Sequence, residues 1–183
     1  MTVPIPGHHA PGAGFEAPLE MLAACHERVE RQCATLQRLL VHHGQHGADE
    51  PAQAAATAVM RYFDTAARDH HADEEEDLFP ALIESMAGSD AVCLRDLTHS
   101  LALEHRQLET LWQAVRVELA KIGAGATATL DGTAVATLVA QYRQHIERED
   151  RELLPMAARL LDTTVLDRVG RAMRERRGIR AID

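Results

Sequence analysis

Apolar residues recur at three- and four-residue spacing along most of the chain, which is the signature of helices with one buried face. The first such stretch runs from about residue 15 to 43, with Leu19, Leu22, Val29, Leu36 and Leu40 on one broad face. HGQHGADEP then breaks the pattern, with Gly44, Gly47 and Pro51 as punctuation. A second helix is predicted from about Pro51 to Met86, closed by Gly88, and a third from about Asp90 to Ile122. After the flexible GAGATATLDG, a fourth spans about Thr133 to Leu161, and a short one lies near Thr164 to Arg177. No stretch alternates apolar and polar residues between turn signals, as a half-buried strand would. Four long helices with short links predict an all-α, up-down-up-down four-helix bundle carrying a short extra C-terminal helix. Residues 1–14, rich in Pro and Gly, are expected to form a flexible tail, 15–163 the bundle, and 164–183 the last helix and tail.

Composition sharpens this picture. Aromatics make up only 3% of the 183 residues, so Leu, Ala and Val must fill the core, which favours helices. A formal net charge of -9 argues against nucleic acid as a partner, because phosphate binding needs clustered Lys and Arg. No apolar run approaches the ~18 residues of a membrane span. Nor does the chain open with a basic stretch followed by an apolar one, so no membrane association and a cytoplasmic location are expected. The odd set Cys25, Cys33 and Cys93, without CxxC, disfavours a disulfide framework or a zinc ribbon and predicts buried thiols. Arg168, Arg171, Arg174, Arg176 and Arg177 are expected to solvate an exposed terminal helix.

Histidines carry the candidate chemistry. Each main helix holds an HxxxE pair: His26/Glu30, His70/Glu74, His105/Glu109 and His145/Glu149. Residues i and i+4 share a helical face, so each pair can aim two donors at one point. From His26 forward to Gly44 is 18 residues and from His70 back to Pro51 is 19. At ~1.5 Å per residue these are nearly equal heights in antiparallel neighbours. The counts about the later links are 18 against 15 and, more loosely, 18 against 13, which puts the four histidines in one layer. HHADEEEDLFP (from His70) and HIEREDRELLP (from His145) also share His, Glu four later and Pro ten later. Pro80 and Pro155 are expected to bend their helices and shape the end of the bundle.

Buried imidazoles and carboxylates are costly unless paired or coordinated. His and Glu without thiolate suit iron, with manganese or zinc as alternatives. Four His and two Glu are too many for one tetrahedral zinc but suit two ions bridged by carboxylates. Neither HExxH nor Glu three residues before a histidine occurs, which sets zincins and ferritin-like di-iron sites aside.

The order His26, His70 with Glu74 and Pro80, His105, His145 with Glu149 and Pro155 resembles the hemerythrin-like HHE cation-binding domain. The resemblance covers about residues 16–161. It implies a four-helix bundle holding two iron ions, with an oxo or hydroxo bridge. Glu74 and Glu149 would bridge, His26 and His70 would cap one iron, and His105 and His145 the other. Oxygen-carrying hemerythrins have a further histidine on the third helix, where this chain has Leu101 and Glu109. The set of four His and two Glu is more similar to the di-iron domain of iron–sulfur cluster repair proteins, whose cysteine-bearing N-terminal domain this sequence lacks. Asp150 competes with Glu149 as a bridge, and Glu149 is preferred because it repeats Glu74. Glu30 and Glu109 are candidate extra ligands. His71 is expected in an outer position or exposed, Glu75, Glu76 and Asp77 as surface charge, and Cys25 as a buried thiol. His8 and His9 fall in the tail, and His42, His43 and His46 at a helix end that favours them.

The expected function is a non-haem di-iron protein that binds or reacts with a small diatomic ligand or peroxide, or senses iron or redox state. The alternatives are a helical interaction module with a purely structural metal, and iron delivery or storage in iron–sulfur cluster repair. Whether the protein is an enzyme, and its oligomeric state, stay open at this level.

Overall fold

Pro18 opens helix α1 (Pro18–His46), taking an early position where its missing N–H breaks no bond. The helix passes through Gly44 and stops at Gly47, whose φ of 71° lies in the left-handed region that glycine tolerates. Helix α2 (Glu50–Asp64) is capped by Asp49, whose carboxylate accepts the Ala52 N–H at 3.0 Å. The computed structural model describes residues 14–86 and 90–179. The segment 1–13 with His8 and His9, Gly88, and the last four residues lie outside them. Among the described residues every element is helical and none is a strand.

The second predicted helix is not continuous. It is divided at Thr65 into α2 and α3 (Ala66–Ala72), and a π-helical turn (Asp73–Leu78) leads into α4 (Phe79–Ser85). After α5 (Asp90–Gly123), the fourth predicted helix repeats this plan. It comprises α6 (Gly132–Arg148), a second π turn (Glu149–Leu153) and α7 (Leu154–Leu160). Pro80 and Pro155 supply the reason. A proline in an α-helix lacks its N–H and drives its ring against the carbonyl four residues back, here that of Glu76 or Arg151. Widening the turn relieves the crowding. The carbonyl of Glu74 accepts the Phe79 N–H and that of Glu149 accepts the Leu154 N–H, each five residues on. The prolines therefore end π turns beside the candidate bridging glutamates, rather than simply bending the bundle end.

Helix α1 packs on α2, α2 on α5, α5 on α6 and α6 on α1, closing a ring. Inside it are two apolar clusters. One contains Leu36, Phe63, Trp112 and Leu138, and the other Leu22, Leu78, Leu82 and Leu101. Between them lies a layer of buried polar side chains: His26, His70, Glu74, His105, His145 and Glu149. On α1 the order Leu22, His26, Val29 crosses from one cluster through this layer to the other, as does Leu101, His105, Leu108 on α5.

Helix α8 (Thr163–Arg176) corrects the expectation of an exposed terminal helix. Val169 and Met173 are buried in the second cluster, and burying such side chains stabilises by about 1.5–3 kcal/mol each. Gly170 permits the approach, since a Cβ there would stand 1.9 Å from the Phe15 carbonyl oxygen. Arg168 and Arg171 do face solvent. Arg174 lies over the Phe15 ring at 5.4 Å, and Arg176 and Arg177 turn inward. A second correction concerns the thiols: Cys25 and Cys33 are buried but Cys93 is exposed. No helix among the described residues is long and apolar enough to cross a membrane.

Candidate metal centre

Helices α1, α3, α5 and α6 contribute His26, His70, His105 and His145, and the two π turns contribute Glu74 and Glu149. All six are at most 3% exposed. Their donor atoms form two groups, His26, His70, Glu74 and Glu149, and His105, His145, Glu74 and Glu149, each within 4.8 Å. The two carboxylates are common to both. His26 Nε2 lies 3.1 Å from Glu149 Oε2, and His145 Nε2 3.1 Å from Glu149 Oε1. His105 Nε2 is 3.3 Å from Glu74 Oε2, and His70 Nε2 is 3.7 Å from Glu74 Oε1.

Three of these contacts are within hydrogen-bond distance, yet none of the four makes a hydrogen bond. All four oxygens of Glu74 and Glu149, and His26 Nε2, are buried without a hydrogen-bond partner. His105 Nε2 and His145 Nε2 meet each other at 3.0 Å, while the carboxylate oxygens and His26 Nε2 face the space between the rings without a partner. Leaving two carboxylates in that condition costs several kcal/mol apiece, and cations between them would remove the cost. Two imidazoles and two shared carboxylates per position, with no thiolate, fit iron, manganese or zinc. The buried cluster fits a metal site.

Electrostatics point the same way. Burial tends to lower the His26 and His105 imidazoles, but the nearby Glu149 and Glu74 carboxylates outweigh it. They push His26 up to about 9 and His105 up to about 10. Burial and the Glu149 charge raise the Glu74 carboxyl. Glu149 is held well below its ordinary value because, against burial, His105, His145 and His26 crowd it. His70, deeply buried and beside His26, is lowered. The protein's own groups thus balance the carboxylates with protons on histidines, the role that metal cations take over on binding.

An outer ring of carboxylates orients the imidazoles. His26 Nδ1 donates to Asp150 Oδ1 at 2.7 Å, His105 Nδ1 to Glu75 Oε1 at 2.7 Å and His145 Nδ1 to Glu104 Oε2 at 2.8 Å. Arg106 holds Glu75, and Arg148 holds Glu104. Such contacts fix ring orientation and raise ligand basicity. They correct one expectation, since Glu75 is not surface charge, and they give Asp150, the less favoured candidate for a bridge, a contact with the outer nitrogen of His26 and a place in neither donor group. Both follow a candidate bridging glutamate directly, and that repeated acid was the signal available in the sequence. Glu104 was missed, and no spacing rule marks it.

Glu30 and Glu109 are exposed and belong to neither donor group. Glu76 is exposed as expected, though it meets Arg176. Asp77 is largely covered and also meets Arg176. Asp73, at 0% exposure, is gripped by Arg177 Nη2 at 2.6 Å and by Arg176 Nη1 at 2.6 Å. Burial raises the Asp73 carboxyl, and the guanidiniums only partly reverse it.

The His71 nitrogens come within 4.8 Å of those of His105 and His145, but ring geometry excludes His71 as a ligand beside His105. The two rings stack at 3.9 Å with an 11° interplanar angle. An imidazole lone pair lies in its ring plane, so an ion in the plane of one ring is out of the plane of the other. His71 instead packs between His105 and Tyr142. It also lines a cavity of 340 Å³ with Arg68, Glu75, Arg106 and Glu109, which reaches His105.

The family model described as the hemerythrin HHE cation binding domain matches residues 17–157. A Haemophilus influenzae protein, described only as uncharacterized, is 29% identical over 168 residues. The match covers 92% of this chain and 94% of that protein.

Proposed function

The chain belongs to the hemerythrin HHE cation-binding domain family, and from that premise we propose that it is a non-haem di-iron protein for a small diatomic ligand or peroxide. Within an up-down-up-down four-helix bundle, His26 and His70 would hold one iron and His105 and His145 the other, with Glu74 and Glu149 available to both. The observation that carries this reading is the set of four buried carboxylate oxygens without partners, faced by imidazoles at 3.1–3.7 Å.

Bound iron supplies reversible one-electron chemistry and affinity for small ligands. The chain's residues do the rest. Asp150, Glu75 and Glu104 hold three rings in register, and the apolar clusters keep bulk water from either side of the layer. The cavity ending at His105 supports access by a small ligand, which a closed structural metal would not require.

The test is elemental analysis of protein purified without chelators and reconstituted with ferrous iron, with an absorption spectrum of the same sample. About two irons per chain and a spectrum that changes on exposure to oxygen or peroxide are expected. Failure to take up any metal would overturn the reading. Two redox-silent zinc ions, in protein that refuses iron, would favour a structural metal instead.

A further inference from the structure

We propose that the two metal positions are unequal: the position between His105 and His145 is resident, and that between His26 and His70 is exchangeable. This rests on the di-metal reading above. The basis is the outer shell. Among the four candidate histidine ligands, only His70 has an Nδ1 that is buried without a partner. Its Nε2 faces Glu74 Oε1 at 3.7 Å, so Nδ1 is the outward nitrogen that must carry the proton when Nε2 binds a metal. An N–H with no acceptor in dry surroundings makes this ring the poorest ligand of the four.

Position relative to the neighbouring histidine gives the residue that corresponds to such an acceptor. Glu104 directly precedes His105 on α5 and accepts from the His145 ring of the neighbouring α6. In the matching register, Cys25 directly precedes His26 on α1. It is buried on the helix that packs against α3, which carries His70. Where one half of the centre has an arginine-held carboxylate, the other has a neutral thiol. Arg28 Nη1 already lies 3.6 Å from Cys25 Sγ, as Arg148 lies against Glu104.

The partner rings repeat the inequality. His105 leans on Glu75, which is 19% exposed and paired with Arg106. His26 leans on Asp150, which is 46% exposed. Outer-shell partners of this kind are worth about 10–100-fold in metal affinity. The exchangeable occupant is a divalent iron ion, and its loss leaves the other ion in place.

The experiment is to load the protein with two ferrous ions under anaerobic conditions and follow their capture by excess coloured chelator. Two phases of equal amplitude are expected, differing by about 10-fold or more in rate. Glu104→Gln should speed the slow phase and leave the fast one. Cys25→Asp should slow the fast phase, with Cys25→Asn as the uncharged acceptor if the added carboxylate disrupts folding. Release of both ions in one phase would overturn the inequality while leaving the di-iron reading intact. A fast phase indifferent to both Cys25 variants would overturn its assignment to the bare His70 nitrogen. Failure of the wild-type chain to load two ions would instead strike the di-iron reading.

Discussion

The π turns Asp73–Leu78 and Glu149–Leu153 share a local plan but are tied to the rest of the molecule differently. Each holds a glutamate whose carbonyl bonds five residues on, then an acid that reaches a histidine on another helix, and each is closed by a proline. Around the first, α8 brings two guanidiniums onto Asp73, and Arg176 extends to Asp77 and Glu76. In the second, the place of Asp73 is taken by Arg148, which turns to Glu104 and Ser100. The outward pair of that turn, Arg151 and Glu147, is 75% and 51% exposed. The same sequence device therefore places both glutamates, while the surroundings decide which turn depends on a distant element. A buried charge needs a protein partner; an exposed one has water.

Removing the shared chemistry should have the largest effect and be equal in both turns. Glu74→Ala and Glu149→Ala are each expected to abolish two-metal binding, read as metal per chain. Full occupancy in both variants would sink the bridging assignment.

Next come the differences. Replacing Arg176 and Arg177 together by Ala leaves Asp73 buried and unpaired, and should destabilise the fold by about 3–5 kcal/mol in denaturant titrations. Arg151→Ala, in the second turn, should leave the midpoint unchanged within error, as exposed pairs usually do. Equal losses in the two variants would erase the distinction between the turns.

A milder break comes from Gly170→Ala, whose methyl group must displace the Phe15 backbone and so loosen α8. A loss of about 1–3 kcal/mol is expected, with faster amide exchange confined to α8 and the first π turn. Protection lost evenly across both turns would contradict the one-sided grip. The smallest effect belongs to Glu76→Ala. Its carboxylate is 67% exposed, so metal content should be untouched and stability should shift by under about 1 kcal/mol.

The helices were legible because burial repeats every three or four residues wherever a helix lies against a core, as at Leu22, Val29 and Leu36. The six candidate ligands stood out because HxxxE recurs on four helices, and because His, Glu and Pro keep their spacing in two of them. The π turns were less legible. The prolines announced an irregularity, but the spacing alone did not distinguish a bend from a widened turn.

The chain's own order determined helical class, the layer in which its histidines stand, and the irregular turns beside Glu74 and Glu149, because all of these follow from short-range periodicity and backbone sterics. Tertiary structure alone decided which acids face the centre and which support it from outside. Asp150 and Glu149 are adjacent in sequence, yet they diverge around the His26 ring. It alone revealed that Arg176 and Arg177 complete a turn about a hundred residues away, and that His70 goes without the support its three counterparts have. Those outcomes depend on which charges remain dry once the helices pack, and desolvation is a property of the assembled interior that no local spacing records.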